Sequence, residues 1–245
     1  MSLFNTIIQS LAGSLNPAVM KAPQTNDPIE KRFTKVSMHD YMLMQYRKYG
    51  GSLDPSFPEG PYIFGVRNED DIRDSVWNDI IGILINGKIY CTLGTTDPSA
   101  YFTFNRMSPR GCFHMKACFQ KNIWRLGKHR GYEALSNTGS VGPVYGWQDG
   151  NNNFLYDDGE DSSGVFAINL HHGFSTPEKI GLHSAGCQVI LGKEVFEYYL
   201  EIIKSSRKVK TIGHRDSRFS YMLFDKVQVP YDKLMILAKE PKIGH

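Results

Sequence analysis

The stretch DIIGILINGKIYCTL, residues 79–93, contains the clearest folding signal in the chain. Two apolar runs rich in Ile flank Asn86-Gly87, a dipeptide preferred in two-residue hairpin turns because both residues tolerate positive φ. We therefore predict a β-hairpin with strands at 79–85 and 88–93. Working outward, further runs of β-branched and aromatic residues predict strands at 112–119, 141–147, 165–172 and 219–229.

The composition favours the same fold class. The 245 residues include 41% hydrophobic side chains, 23 Gly, 14 Phe and 13 Tyr, which suits a mainly β fold with many turns. Two segments have helical character instead. Residues 193–205 place apolar side chains on one broad face, and residues 37–49 begin at the capping residue Ser37 and end at Gly50-Gly51. We expect a mainly β protein with a few flanking helices.

Four segments follow from these patterns. Residues 1–30 are interpreted as an amphipathic tag and linker, because apolar positions recur at helical spacing before Pro17, Pro23 and Pro28. A frayed terminus packed on its own domain is the alternative. Residues 31–60 form a helical lead-in, residues 61–235 the main domain, and residues 236–245 a C-terminal tail.

Charge and cysteine spacing exclude several classes. With 28 basic and 25 acidic residues and no run of five like charges, the chain has no pattern typical of nucleic-acid or membrane-surface binding. The apolar stretch near Met1 is interrupted by polar residues and Gly, so we expect neither a signal peptide nor a transmembrane segment, and synthesis in the cytoplasm. The cysteines form no CxxC pair, which argues against a zinc ribbon. Three lie in apolar runs and are interpreted as core residues: Cys91, Cys112 and Cys118.

The segment AINLHHGFSTPEKIGLHSAGCQVI, residues 167–190, carries the candidate chemistry. Small residues surround Cys187, and they predict an accessible thiol whose backbone neighbours could stabilise an oxyanion. A nucleophilic thiol needs a histidine to accept its proton. The candidate bases are His171 and His172, with His183 as a third candidate.

The same segment resembles the L,D-transpeptidase (YkuD-type) catalytic domain, in which a strand-end histidine precedes Ser-x-Gly-Cys by a similar distance. The resemblance is greatest to a divergent branch associated with bacteriophages. It covers about residues 61–225 and rests on NLHH (169–172), SAGCQV (184–189), GTTDP (94–98) and GKHRGYEAL (127–135).

The resemblance implies a β-sandwich or barrel that performs cysteine-dependent acyl transfer or hydrolysis on peptidoglycan stem peptides. Cys187 would be the nucleophile and His171 the base. Ser184 and the amides of Gly186 and Cys187 would shape the oxyanion pocket. No cofactor is implied, and transpeptidase, carboxypeptidase and endopeptidase products all remain open.

Departures from the family pattern leave alternatives. Ala185 stands where better-known members carry His, and Gln188-Val189 replaces an Ile-Arg pair. Arg130 or His129 could substitute for that arginine in substrate binding, unless their turn is only an exposed hairpin rim. Gln188 and His183 complete the substrate-binding candidates.

Two other functions therefore stay open. One is a catalytically inactive structural or binding module of a virion or injection particle, docked through the N-terminal segment. The other is a cysteine peptidase that acts on protein. Delivery by a phage or contractile particle would bring a chain without a signal peptide to the cell wall.

Residues 149–160 match part of a calcium-loop pattern. Five oxygen-bearing residues occupy positions 1, 3, 5, 9 and 12 of an EF-hand-like loop, namely Asp149, Asn151, Asn153, Asp157 and Glu160. Phe154 occupies the position of the usual Gly, and a solvated turn explains the same residues.

A zinc site among His171, His172, His183 and Cys187 is disfavoured. Adjacent histidines on a strand point to opposite faces, so they seldom bind one ion together. We therefore predict no metal at the cysteine.

Overall fold

A computed structural model describes residues 36–69, 76–173 and 179–240. From Ser37 onward the chain forms one compact unit. The predicted N-terminal tag, residues 1–30, lies outside the described residues. None of the helices in the described ranges combines the length and the apolar character needed to cross a bilayer.

The secondary structure is mainly β. The helices are α1 (Met38–Lys48), α2 (Ala100–Phe104), α3 (Lys193–Ser205), α4 (Arg207–Ile212) and α5 (Tyr231–Lys239), with a 3₁₀ turn at Lys226–Gln228. The strands are β1 (Tyr62–Arg67), β2 (Asp79–Ile85), β3 (Lys88–Thr95), β4 (Cys112–Met115), β5 (Phe119–His129), β6 (Tyr132–Ser136), β7 (Val144–Asp149), β8 (Asp161–Gly164), β9 (Leu170–His172), β10 (Gln188–Ile190) and β11 (Arg218–Asp225).

Within the described ranges, eight strands close into a barrel in the order β1-β11-β5-β6-β9-β10-β3-β2. The pairs β1–β11 and β9–β10 are parallel, and the other pairs are antiparallel. A second sheet, β4-β7-β8, lies outside the barrel order. The expectation of a mainly β fold with few helices is confirmed.

The predicted hairpin at 79–93 is confirmed. Strands β2 and β3 pair in register from Asp79↔Gly94 to Ile85↔Lys88. Asn86 and Gly87 occupy the turn with φ of 50° and 72°, the conformation their residue types favour.

The continuous strand predicted at 112–119 is wrong because the backbone changes sheets there. The Lys116 N–H donates to Tyr145 O beyond β4, whereas the Cys118 carbonyl accepts from Leu223 N in the barrel. The fully buried Gln120 amide holds this crossing by donating to the carbonyls of Lys116 and Tyr145.

Two other predicted strands are shorter than expected. The strand at 165–172 contains only Leu170–His172, because Ala167 has φ of 59°, outside the extended region. The strand at 219–229 ends at Asp225, whose side chain caps the following 3₁₀ turn.

Both predicted helices are present. The Ser37 hydroxyl accepts a hydrogen bond from the Asp40 N–H at 3.1 Å, and Gly50 follows α1 with φ of 90°. Met42 and Tyr46 on α1 are buried in a hydrophobic cluster with residues of β1, β2, β3 and β11. Helix α5 extends to Lys239 and buries Ala238, so the predicted tail begins inside a helix.

Candidate functional site: a thiol and two imidazoles at the β9–β10 edge

Strands β9 and β10 bring the candidate nucleophile and base together. They pair in parallel with His171 opposite Val189, and the Gln188 N–H donates to Asn169 O at 2.9 Å. Cys187 immediately precedes β10, so the chain between the two strands returns the thiol to the histidine strand. Cys187, His171 and His129 each have one sulfur or ring-nitrogen atom in a common cluster, and these three atoms lie within 4.8 Å of one another.

The His171 ring is held in one orientation. Its Nδ1 lies 2.8 Å from the His172 carbonyl oxygen and 3.2 Å from the Tyr132 hydroxyl. A carbonyl only accepts, so Nδ1 carries the proton and Nε2 keeps the lone pair. Among the described residues this buried Nε2 has no hydrogen-bond partner. His171 is therefore prepared to accept a proton through Nε2.

The His172 side chain belongs to a different environment. Its ring lies 4.5 Å from the Tyr132 ring and 5.9 Å from the Phe196 ring, between centroids. Neighbouring residues of a strand point to opposite faces, so the two histidines do not share one position. The geometry favours His171 as the base, with the His172 carbonyl orienting it.

The expectation of an accessible thiol is wrong, because Cys187 is 8% exposed. The small neighbour explains this burial. A Cβ on Gly186 would lie 2.6 Å from Phe113 O and 3.1 Å from Ile168 Cδ1, so glycine lets the loop pack tightly onto β4. The Sγ atom accepts from the Asn169 N–H at 3.4 Å and lies 3.7 Å from Ala167 O.

Burial also sets the protonation of the pair. It raises the pKa of Cys187 to about 11, an effect that the Asn169 N–H and the Arg130 charge partly oppose. Burial, and then His129, lowers the pKa of His171 to about 3. The site at neutral pH therefore holds a thiol beside a neutral imidazole. Such a pair acts as nucleophile and general base when the proton moves during attack.

The Ser184 hydroxyl organises the loop around the cysteine. It donates to Cys187 O at 2.7 Å and accepts from the Gly186 N–H at 3.2 Å. The Ser184 carbonyl accepts from Ser99 N at 2.9 Å. The fully buried Ser184 therefore fixes the conformation of the loop through its backbone contacts, and the Gly186 amide is engaged within the loop.

The Gln188 side chain is fully buried inside the barrel. Its amide nitrogen donates to Thr96 O at 3.1 Å, and its oxygen accepts from the Tyr221 hydroxyl at 2.9 Å. These contacts enclose the side chain in the protein, and through them Gln188 supports the barrel.

The charged turn at 127–135 is both a hairpin and part of the site. Arg130 and Gly131, with φ of 46° and 95°, connect β5 and β6. The hairpin brings His129 and Tyr132 to His171, and the rings of His129 and His171 stack with centroids 4.1 Å apart and an interplanar angle of 6°. Burial, and then Arg130, lowers the pKa of His129.

Arg130 and His183 are more exposed than the clustered side chains of Cys187 and His171. Arg130 is exposed, and its positive charge adds to burial in lowering the pKa of His129 and His183 and partly opposes the burial that raises the pKa of Cys187. The half-buried His183 has its ring 6.2 Å from that of Trp77, and burial is the main cause of its lowered pKa. Arg130 is thus a candidate to attract an anionic group of a substrate.

A buried ionic network beneath the site was not predicted. Asp97 of the GTTDP string lies 2.7 Å from Arg67 Nε and 3.2 Å from His114 Nδ1. Thr96 donates from its amide and hydroxyl to Asp79 at 2.7 and 2.8 Å. Burial, and then Asp97, raises the pKa of Asp79, and the Arg67 charge holds that of Asp97 low. The network joins the barrel to β4 and so supports the loop that carries Cys187.

The loop at 149–160 holds its polar groups together internally. The buried Asp149 carboxylate accepts from the Asn153 and Phe154 amides at 3.1 and 2.9 Å. Asp157 accepts from the side-chain amides of Asn151 and Asn153 at 2.8 Å. A solvated Asx-rich turn accounts for these contacts.

Comparison of the chain with family models, curated proteins and solved structures finds no match. The family resemblance stated above therefore rests on the sequence strings quoted for it, and the chemistry rests on the geometry of Cys187, His171 and their neighbours.

Proposed function

We propose that this protein is a cysteine-dependent acyltransferase or hydrolase in which Cys187 attacks a peptide carbonyl and His171 is the general base. One observation carries the proposal. The Nδ1 of His171 is bound to a backbone carbonyl, its Nε2 has no hydrogen-bond partner among the described residues, and a ring nitrogen of His171 lies within 4.8 Å of the Cys187 thiol. That arrangement of nucleophile, base and orienting group is what covalent acyl transfer requires.

The reaction would proceed in two steps. The thiol proton moves to His171 Nε2 as Sγ bonds to the carbonyl carbon, and the tetrahedral intermediate collapses to a thioester when the leaving amine takes that proton. An amine or water then attacks the thioester and releases Cys187. An amine acceptor gives transpeptidation, and water gives hydrolysis.

We propose that the substrate is a peptidoglycan stem peptide and that the fold is L,D-transpeptidase-like. The support is the sequence resemblance, the closed β-barrel and the exposed Arg130, whose positive charge acts on the thiol, because stem peptides carry free carboxylates. Delivery by a virion or injection particle belongs to the same proposal. A cysteine peptidase acting on protein would use the same dyad.

The test is incubation with purified muropeptides followed by intact-protein and product mass spectrometry. We expect an acyl adduct, changed muropeptides or both with the unmutated protein and with Cys118→Ala, which removes a more exposed thiol. Cys187→Ala should give neither. Cleavage of a generic peptide with muropeptides unchanged would support the peptidase instead.

One observation favours the inactive binding module, namely the burial of the thiol and its raised pKa. If the folded protein forms no Cys187-dependent adduct and changes none of these substrates, the acyl-transfer proposal is wrong. Co-sedimentation with intact peptidoglycan would then test the binding role.

A further inference from the structure

The proposed mechanism leaves His129 without a role, although its ring is stacked on that of the proposed base. One of its nitrogens lies within 4.8 Å of Cys187 Sγ and of a ring nitrogen of His171. Three such donors at this distance resemble a site for a soft metal. The protonation of His129 decides between a metal ligand and a hydrogen-bond donor.

The buried Asn169 determines that protonation. Its Oδ1 accepts from the backbone N–H of Asn137 at 2.8 Å, so its Nδ2 must face the other way. That Nδ2 lies 2.8 Å from His129 Nδ1 and donates to it. Nδ1 is therefore the acceptor, and the neutral ring carries its proton on Nε2. The lowered pKa of His129 agrees with a neutral ring at pH 7.

This tautomer disfavours a metal. Nδ1 is already bonded to an amide NH₂, and Nε2 has a proton where a metal needs a lone pair. If a metal bound through Nε2, the proton would have to move to Nδ1, where it would face the NH₂ donor of Asn169 instead of an acceptor. Rotating the Asn169 amide would in turn place NH₂ against the Asn137 N–H.

We propose that His129 donates a hydrogen bond from Nε2–H to the oxyanion formed during attack by Cys187, and that Asn169 is the positioning residue that fixes its tautomer. An oxyanion binds donors at about 2.7–3.1 Å. A ring nitrogen of His129 lies within 4.8 Å of Sγ, and the oxyanion carbon would be bonded to Sγ, so the His129 imidazole borders the position that the oxyanion would occupy. The inference rests on the proposed function, and it gives the stacked histidines opposite tautomers and complementary tasks.

One backbone donor expected at the oxyanion is already engaged, and His129 would take its place. The Gly186 amide, an expected oxyanion donor, is bonded to Ser184 Oγ. During attack, Sγ bonds to the carbonyl carbon, the π electrons move to oxygen, and the thiol proton passes to His171. His129 stays neutral throughout and only donates a hydrogen bond.

The experiment compares two reactions of the same thiol in the full chain. p-Nitrophenyl acetate acylates Cys187 through an oxyanion and releases p-nitrophenolate, whereas iodoacetamide alkylates it by displacement without one. Rates are measured after subtraction of the Cys187→Ala background. His129→Phe keeps a ring against His171 and removes the donor, and we expect it to lower the ratio of acylation to alkylation about 100-fold or more. His129→Gln keeps a donor, and we expect less than about a tenfold loss.

¹⁵N-histidine NMR gives a second measurement that is independent of activity. We expect His129 to show a protonated Nε2 and an unprotonated Nδ1, and Asn169→Asp to reverse this pattern because a carboxylate accepts from Nδ1–H. The same variant should lower the acylation ratio as His129→Phe does.

Two outcomes would overturn the inference. One is an Nδ1–H tautomer in the unmutated protein. The other is an unchanged ratio in His129→Phe, and if both reactions lose rate equally, that result would assign His129 to thiol activation. Failure of the proposed function looks different. In that case the unmutated protein would acylate no faster than Cys187→Ala, while NMR would still report the His129 tautomer.

Discussion

The reactivity of Cys187 as a function of pH tests the protonation state of the site. With a pKa of about 11, about 10⁻⁴ of the thiol is ionised at pH 7, against about 3% for a free cysteine of pKa ~8.5. That is about 300-fold less thiolate. The greater nucleophilicity of a more basic sulfur recovers about tenfold. We therefore expect Cys187 to react with iodoacetamide about 20- to 30-fold more slowly than the cysteine of an unstructured peptide in the same tube.

The assay is timed alkylation, an acid quench, proteolysis and mass spectrometry of the peptide that contains Cys187. From pH 6 to 10 the rate should rise about tenfold per unit with no shoulder, because His171 stays neutral above its pKa of about 3. A rate plateau between pH 4 and 7 would refute the reasoning, since it would reveal a thiolate–imidazolium pair.

Three further predictions concern stability. The pKa of His171 is depressed in the folded state, so the unfolded chain binds the proton first as pH falls. The free energy of unfolding should therefore decrease between about pH 6.5 and 3, by up to about 5 kcal/mol. His171→Gln should remove most of this decrease when stability is measured by urea denaturation across that pH range. Gly186→Ala should cost at least about 2 kcal/mol, from positive φ and the approach to Phe113 O, whereas Gly131→Ala, with φ of 95° and open space, should cost less; equal midpoints in denaturant would contradict this. Asp97→Asn should lower the free energy of unfolding by about 3–5 kcal/mol, because it leaves the charge of Arg67 buried without its partner. The control Asp161→Asn, in an exposed ion pair, should lower it by less than about 1 kcal/mol. Similar decreases of the thermal midpoint in both variants would rule out a structural role for the network.

Local patterns were sufficient for several parts of the fold. The Asn86-Gly87 hairpin, the Ser37 cap of α1 and the amphipathic helix α3 depend on neighbouring residues, so their sequences predict them directly. The candidate thiol and histidine were also identifiable, because strand-end and small-residue patterns are local. The choice of His171 over His172 agrees with the geometry but was made from family resemblance.

Only the tertiary structure decided the environment of those groups. The switch of the chain between sheets at 116–118, the contact of His129 with His171, and the ionic network of Asp97 all join residues distant in sequence. Burial of Cys187 likewise depends on Phe113 and Ile168 closing over Gly186. A sequence names the titratable groups, but their pKa values and tautomers follow from desolvation and from partners brought close by folding. The residue types therefore indicated a candidate thiol and a candidate base, and the packing determined that the two groups are neutral at pH 7.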